Sequence, residues 1–381
     1  MTKRTIFLSC LLAILFALIN LFWLFLVLFI LVLIFKKILA LISKSFFKKG
    51  FVLFSLLFAL IIIRLFIFDI FKIPSSSMED TLFPKDIIIV NKLKYGPKLP
   101  RSPFDIPILN IAFYFNKKAK EKIKKNWWAY KRLSGYSNVK NGDIIVYENF
   151  RKNFFFVKRC VAIPGDTLYI KNGSVYINNT YHEFNNNIKK SYQFKIKNVD
   201  KFHRDIDALE ITDCINIETD SLQYSTINLS IKKAKEMNQL SSIDSFGYTI
   251  KAFNENDKFF YRKNKEQWTI DNLGPIITPK KGMQIILNDK NFAIYHKALR
   301  KYEKVKIKRV NGTYFINDVI KDLYTFKQNY YFMMGDNRDE TIDSRFFGFL
   351  PEKNIVGYVQ GVFLSNYQDT FQWGRLFKSI Y

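Results

Sequence analysis

Three serines in succession, Ser75, Ser76 and Ser77, stand in the stretch KIPSSSMEDTL at residues 72–82. A serine hydroxyl is a weak nucleophile at its own pKa and needs a neighbouring base. His182, His203 and His296 are far apart, so a Ser-His-Asp arrangement has little to draw on. A neutral lysine can do the same work if burial against apolar groups destabilises its ammonium form. Strand alternation across FFFVKRCVAI places Phe156, Lys158, Cys160 and Ala162 on one face, with Val157, Arg159, Val161 and Ile163 on the other. Lys158 is therefore a lysine in desolvating company, although periodicity says nothing about a pairing with Ser77. The structural alternative for the serines is a helix cap, since Ser76 and Glu79 have the spacing of a capping box. A helix starting there meets Pro84 within two turns, which leaves such a cap little to serve. A third polar stretch, MGDNRDETIDSRFFGFLP at 334–351, reads poorly as a calcium loop, because Asp336 as first ligand puts Arg338 at the second ligand position. Asp336, Arg338, Asp339, Asp343 and Arg345 read instead as a loop braced by ion pairs, which suits a place where a catalytic geometry must hold.

The elements that carry these residues begin in a membrane. Residues 5–35 contain no charged side chain, and at ~1.5 Å per residue such a helix exceeds the ~30 Å hydrocarbon thickness of a bilayer. A cleaved leader would have an apolar region of only ~7–15 residues. A second run, FVLFSLLFALIII at 51–63, continues past a snorkelling Arg64 and predicts a second span over about 50–68. Lys36, Lys37, Lys44, Lys48 and Lys49 lie between the spans, against Lys3 and Arg4 before them, so the positive-inside bias puts the loop in the cytoplasm and everything from Lys72 outside. The predicted organisation is an N-terminus and first transmembrane helix at 1–35, a basic cytoplasmic loop at 36–50, a second transmembrane helix at 51–70 and one extracytoplasmic β-rich domain at 71–381.

Charge narrows the partners. The chain carries 59 Lys and Arg against 33 Asp and Glu, a net +26, which calls for an anionic neighbour. Beyond residue 71 the count is 51 basic against 32 acidic residues. On the extracytoplasmic side of the membrane that surplus suits an anionic phospholipid surface and argues against nucleic acid. Cys10, Cys160 and Cys214 do not form a disulfide framework, and spacing alone does not decide a bridge between the last two. No His or Cys spacing suggests a metal, and no metal or other cofactor is expected. Ser45 with Lys48, and Ser230 with Lys233, have the Ser-x-x-Lys spacing of penicillin-binding enzymes but lack the Ser-Asp-Asn and Lys-Thr-Gly partners. A non-enzymatic, basic, membrane-anchored binding protein is the other class to weigh, and it would be indifferent to the loss of Ser77.

The outer part reads as strands and turns. DIIIVNKLKYG (86–96) and NGDIIVYENF (141–150) are β-branched runs, and 153–179 reads as three strands with turns at Pro164-Gly165-Asp166 and Asn172-Gly173. QIILND, YEKVKIKRVNGTYFIND and YYFMMGDN repeat the style. Residues 116–133 form the clearest helical piece, with a basic face and flanking tryptophans that suit either a lipid surface or a solvated insertion. Residues 183–330 carry no chemical signature and read as an elaboration of the fold.

IPSSSMEDTL, DIIIVNKLKYG, VKRCVAIPGD and GDNRDETIDSRFFGFLP resemble, in this order, the motif boxes of bacterial type I signal peptidases, and the two apolar spans look like theirs. The resemblance covers the membrane region, 71–96, 140–170 and 331–364. It implies two N-terminal transmembrane helices followed by a mostly-β extracytoplasmic catalytic domain with an inserted elaboration. It also implies a cofactor-free, membrane-bound serine endopeptidase that removes N-terminal signal peptides from exported pre-proteins at Ala-x-Ala sites, on the outer face of the cytoplasmic membrane. By position, Ser77 matches the nucleophile and Lys158 the general base. Ser75 matches the hydroxyl that joins the Ser77 backbone N–H in the oxyanion hole. Thr341 stands where many members have a serine bonded to the lysine amine. Asp343 and Arg345 match a supporting ion pair, Asp336 and Arg338 the loop scaffold, and Ile73 and Val157 the walls of shallow pockets for small substrate side chains. The chain departs from short members in the 81 positions between Ser77 and Lys158, in expansions at about 97–139 and 183–330, and at Ser76, where glycine is frequent.

Overall fold

The computed structural model describes residues 30, 33, 34, 37, 45–107, 128–149, 154–209, 211, 224–252 and 268–380. All but three residues of the first predicted span, most of the basic loop and residues 116–127 of the predicted surface helix lie outside them. Helix α1 (Ser45–Ile62) carries no charged side chain from Gly50 onward. With the wide turn that continues it, the stretch Lys49–Ile67 has a mean hydropathy of 2.7, and among the described residues none of its side chains is buried. Among the described residues it is the helix long and apolar enough to cross a membrane, by length and composition. It ends earlier than the sequence predicts. After the π turn Ile63–Ile67 the backbone becomes extended at Phe68, and residues 68–70 belong to strand β1 (Phe68–Lys72). The cause is local: Asp69 pairs with Lys92 at 2.8 Å, and the register of β1 against the next strand draws it onto the sheet.

The remaining strands follow the β-branched and aromatic runs. They are β2 (Asp86–Asn91), β3 (Ile144–Glu148), β4 (Phe155–Ala162), β5 (Thr167–Lys171), β6 (Ser174–Ile177), β7 (Thr180–Tyr181) and β8 (Lys189–Ile196). Helix α2 (Val199–Ala208), β9 (Ser225–Ser230), helix α3 (Ile231–Met237), β10 (Ile243–Tyr248), β11 (Leu273–Ile277), β12 (Gln284–Ile286) and helix α4 (Asp289–Lys301) come next. The chain continues with β13 (Ile307–Val310), β14 (Thr313–Ile316), β15 (Val319–Ile320), β16 (Leu323–Thr325), β17 (Tyr330–Met334), the one-turn helix α5 (Ser344–Phe347), β18 (Leu350–Pro351) and β19 (Ile355–Ser365).

A seven-stranded antiparallel sheet in the order β1-β2-β19-β3-β4-β17-β18 is the frame of the site. Val90, Val146, Val359 and Val362 bury its one face with Ile73, Met78 and Leu82, while Ile145, Tyr147, Cys160 and Met333 bury the other. Cys160 is a free, buried thiol, and Cys214 is outside the described residues. The predicted Asn-Gly turns are real hairpin turns. Asn172 and Gly173 take φ of 49° and 70°, and Asn311 and Gly312 take 48° and 81°, the paired positive angles whose twist suits two-residue hairpins.

The described residues of 183–330 build small sheets, among them β10-β8-β9 and β13-β14-β15, and three helices. Asn198, Ser230 and Asn288 cap α2, α3 and α4, each side chain accepting from a backbone N–H three residues on. The described part of the predicted 116–133 helix, from Trp128, is not helical; it runs as irregular chain that bridges Lys98 through Arg132.

Candidate active site

Ser77 sits in a tight turn between β1 and β2. Ile73 and Asp86 close its base, the Ile73 N–H donating to the Asp86 carbonyl at 2.8 Å. The Leu82 N–H donates to Met78 at 2.7 Å, and the buried Met78 and Leu82 side chains anchor the turn in the sheet. The Glu79 N–H reaches the Ser76 carbonyl at 2.9 Å, but the Glu79 carboxylate accepts from Lys189 instead of closing a capping box.

Lys158 comes to Ser77 from β4, where it lies opposite Ile145 of β3. The predicted alternation holds through Cys160 and then breaks. One β17 step, Phe332 to Met333, opposes two on β4, Ala162 to Cys160, and this bulge sends Val161 and Ala162 into the same core cluster. Lys158 is 2% exposed, and its Nζ lies 2.5 Å from Ser77 Oγ. Burial pushes the amine down to about 8; Asp343 and Asp336 resist that shift and Arg345 adds to it. Near neutral pH a fraction of the lysine is thus neutral and able to accept the serine proton. Ser75 Oγ lies 3.4 Å from Ser77 Oγ on the exposed side of the turn. Ile73 and Val157 pack in one apolar cluster with Met78, adjoining the serine.

The loop after β17 is braced, though differently from the sequence expectation. Asp343 and Arg345 form the expected buried pair, with Nε and Nη2 bonded to the two carboxylate oxygens at 3.0 and 2.9 Å. Asp336 does not pair with Arg338. Its carboxylate accepts from Arg159 Nε at 2.9 Å, Arg159 Nη2 at 2.6 Å and Thr81 Oγ1 at 2.6 Å. Burial alone would raise the Asp336 pKa, but the Arg159 charge and these hydrogen bonds hold it below the ordinary value. Arg338 contributes through its backbone, whose N–H donates to Lys189 at 2.9 Å and whose carbonyl accepts from Arg345 Nη2 at 2.5 Å. Burial and the neighbouring Arg345 push its guanidinium down to about 10. Asp339 accepts from the Ser191 N–H of β8 at 2.7 Å rather than from an arginine of its own loop.

Thr341 is buried, and its Oγ1 has no hydrogen-bond partner among the described residues, so the bond to Lys158 that the resemblance implies is not formed here. The threonine instead fills the space over Gly335. A Cβ on Gly335 would lie 2.3 Å from Thr341 Oγ1 and 2.6 Å from the Ser77 carbonyl oxygen. Gly335→Ala is therefore expected to push the Ser77 turn off its position and lower peptidase activity at least tenfold, at an overpacking cost of about 1–3 kcal/mol. Turnover measured beside a thermal melt in detergent checks it, and wild-type turnover would show that the contact is slack.

Three residues of this site carry no sequence signal of their own role. Arg159 ties the strand of Lys158 to the loop. Gly335 admits the turn, and Asn337 donates its backbone N–H to the Ser77 carbonyl at 3.2 Å and Nδ2 to the Ser76 carbonyl at 3.3 Å. Their neighbours in the motifs mark the segments, but the pairings cross 177 or more positions and only the fold makes them.

A serine hydroxyl held against a desolvated lysine, on a mostly-β frame, is an arrangement in which the amine can accept the hydroxyl proton. The family model for "Signal peptidase, peptidase S26" matches residues 44–222 and 276–364, and the chain belongs to that family. It is 26% identical to the signal peptidase I of Buchnera aphidicola subsp. Schizaphis graminum, over 87% of this chain and 79% of that one. It is 27% identical to the signal peptidase I of Buchnera aphidicola subsp. Baizongia pistaciae, over 84% and 77%. The signal peptidase I of Haemophilus influenzae is 24% identical over 86% and 72%. A crystal structure of a signal peptidase I from Enterococcus faecalis aligns over 58% of this chain and 97% of that one at 14% identity, with a TM-score of 0.22.

Proposed function

We propose that this S26 peptidase cuts signal peptides from exported pre-proteins with Ser77 as nucleophile and Lys158 as general base. The observation that carries the reading is the 2.5 Å approach of a buried lysine amine to the Ser77 hydroxyl. Neutral Lys158 takes the Ser77 proton as Oγ attacks the scissile carbonyl. The developing oxyanion is met by the Ser77 backbone N–H and the Ser75 hydroxyl, in the family's manner. The lysine then returns the proton to the leaving amine, and the signal peptide remains as an ester on Ser77. Lys158 next takes a proton from water, the hydroxide attacks the ester, and Ser77 recovers its hydrogen as the acid leaves. Asp343, Arg345, Asp336 and Arg338 hold the loop in which these groups meet, and Thr341 seats the turn against Gly335. Ile73 and Val157 would leave room for small side chains alone, giving an Ala-x-Ala preference. The placement we infer is the outer face of the cytoplasmic membrane, with two N-terminal spans and the basic outer surface on anionic phospholipid.

The test is cleavage of a pre-protein by the detergent-solubilised chain. Cutting is expected after Ala-x-Ala and is expected to fail when the last residue before the cut is Trp; equal cutting of both would contradict the pocket assignment. Because protonated Lys158 cannot accept a proton, kcat/KM is expected to rise about tenfold per pH unit below about 8 and to level above it. A profile flat from pH 6 to 9 would contradict the lysine base.

A further inference from the structure

Where the expanded region meets the seven-stranded sheet, β8 and β9 reach the Ser77 turn at several points. The Lys189 N–H donates to the Asp336 carbonyl at 2.9 Å, and its carbonyl accepts from the Arg338 N–H at 2.9 Å, which splices β8 onto the catalytic loop. Its ammonium, almost wholly buried, donates to Glu79 at 2.8 Å, two residues beyond the nucleophile. Asn187 Nδ2 donates to the Asp80 carbonyl at 3.2 Å, and Asp80 has a φ of 64°, a left-handed backbone that the surroundings must impose. Asn228 Nδ2 of β9 donates to Asn337 Oδ1 at 2.8 Å, which orients the amide that holds the Ser76 carbonyl.

We infer that the β8–β9 unit is a positioning device for the nucleophile, with Lys189 and Asn228 setting the Ser77 turn through Glu79 and Asn337. Neither residue touches Ser77 or Lys158 by a hydrogen bond, so both act on the serine's place and leave the base alone. A shielded ion pair of this kind is screened little by salt, and small displacements of a nucleophile have large effects on rate. The inference rests on the Ser77 and Lys158 reading above.

The experiment measures kcat, KM and the pH profile on a pre-protein for wild type, Lys189→Met, Lys189→Arg, Glu79→Gln, Lys189→Met with Glu79→Gln, Asn228→Ala and Ser77→Ala. Lys189→Met and Glu79→Gln are each expected to lower kcat about tenfold with KM and the pH midpoint unchanged. The double variant should fall no further than either single one, because both break one link. Lys189→Arg should recover more than half of the lost kcat. Wild-type kcat in the single variants, losses that multiply, or a change confined to KM would overturn the inference. If Lys189→Met fails to fold by circular dichroism, Asn228→Ala decides: a matching loss of kcat supports the device and wild-type kcat removes it. Ser77→Ala separates the two readings. An inactive Ser77→Ala beside a fully active Lys189→Met sinks the positioning role alone, whereas an active Ser77→Ala sinks both.

Discussion

Lys158→Met is expected to abolish cleavage, by a factor of about 10³ or more, and at the same time to make the protein harder to unfold at pH 7. The loss follows from removing the base that sits 2.5 Å from Ser77 Oγ. The gain follows from the state of the lysine. Its folded pKa of about 8 lies below the ordinary 10.5 because burial penalises the ammonium more than Asp343 and Asp336 repay it. Below pH 8 both folded and unfolded chains carry the proton, and the folded state bears the whole cost of burying the charge. Between 8 and 10.5 the folded state sheds its proton first and the cost shrinks; above 10.5 it is gone. The gap amounts to roughly 3 kcal/mol. A methionine of similar shape carries none of it, so thermal melts in detergent should show the variant more stable than wild type at pH 7 and level with it near pH 11. A variant that melts lower at pH 7, or that still cuts within tenfold of wild type, would contradict the desolvated base.

Arg159→Met is expected to destabilise the folded state by about 3–5 kcal/mol, since it leaves the fully buried Asp336 carboxylate with the Thr81 hydroxyl and no cation bonded to it. Activity should fall with it, because Asp336 fixes the loop whose neighbours Gly335 and Asn337 touch the Ser77 carbonyl. Arg159→Met combined with Asp336→Leu should regain part of the stability, as an apolar pair does not need the missing charge. Chemical denaturation of the two variants beside wild type checks this. Equal stability of Arg159→Met and wild type would mean that the ion pair contributes nothing to the fold.

The frame of the site was legible because its signals are local. β-Branched runs announced β2 and β3, the strand pattern of 153–179 announced β4, and the two Asn-Gly pairs announced their hairpins. Ser77, Lys158 and the Asp343–Arg345 pair were legible through the spacing of motifs and a resemblance. What was not legible depends on distant chain. Arg159 looked like any charged residue on the outer face of a strand until β17 brought Asp336 against it. Arg338 read as part of the bracing of its own loop, whereas its backbone carries the contacts to Lys189 and Arg345. In the expanded region, helices such as α4 were hidden by their polar surfaces, although Ile294, Tyr295, Ala298 and Leu299 already have helical spacing. The end of the apolar run at Phe68 was misjudged because LFIFDIF serves a helix or a strand equally well, and a pairing with Lys92 decides.

The most direct test compares purified, detergent-solubilised wild type with Ser77→Ala on a pre-protein bearing an Ala-x-Ala site, with circular dichroism to show that both are folded. Wild type is expected to release the signal peptide, and Ser77→Ala to leave the pre-protein intact. A folded Ser77→Ala that cuts as well as wild type would show that this serine is not the nucleophile.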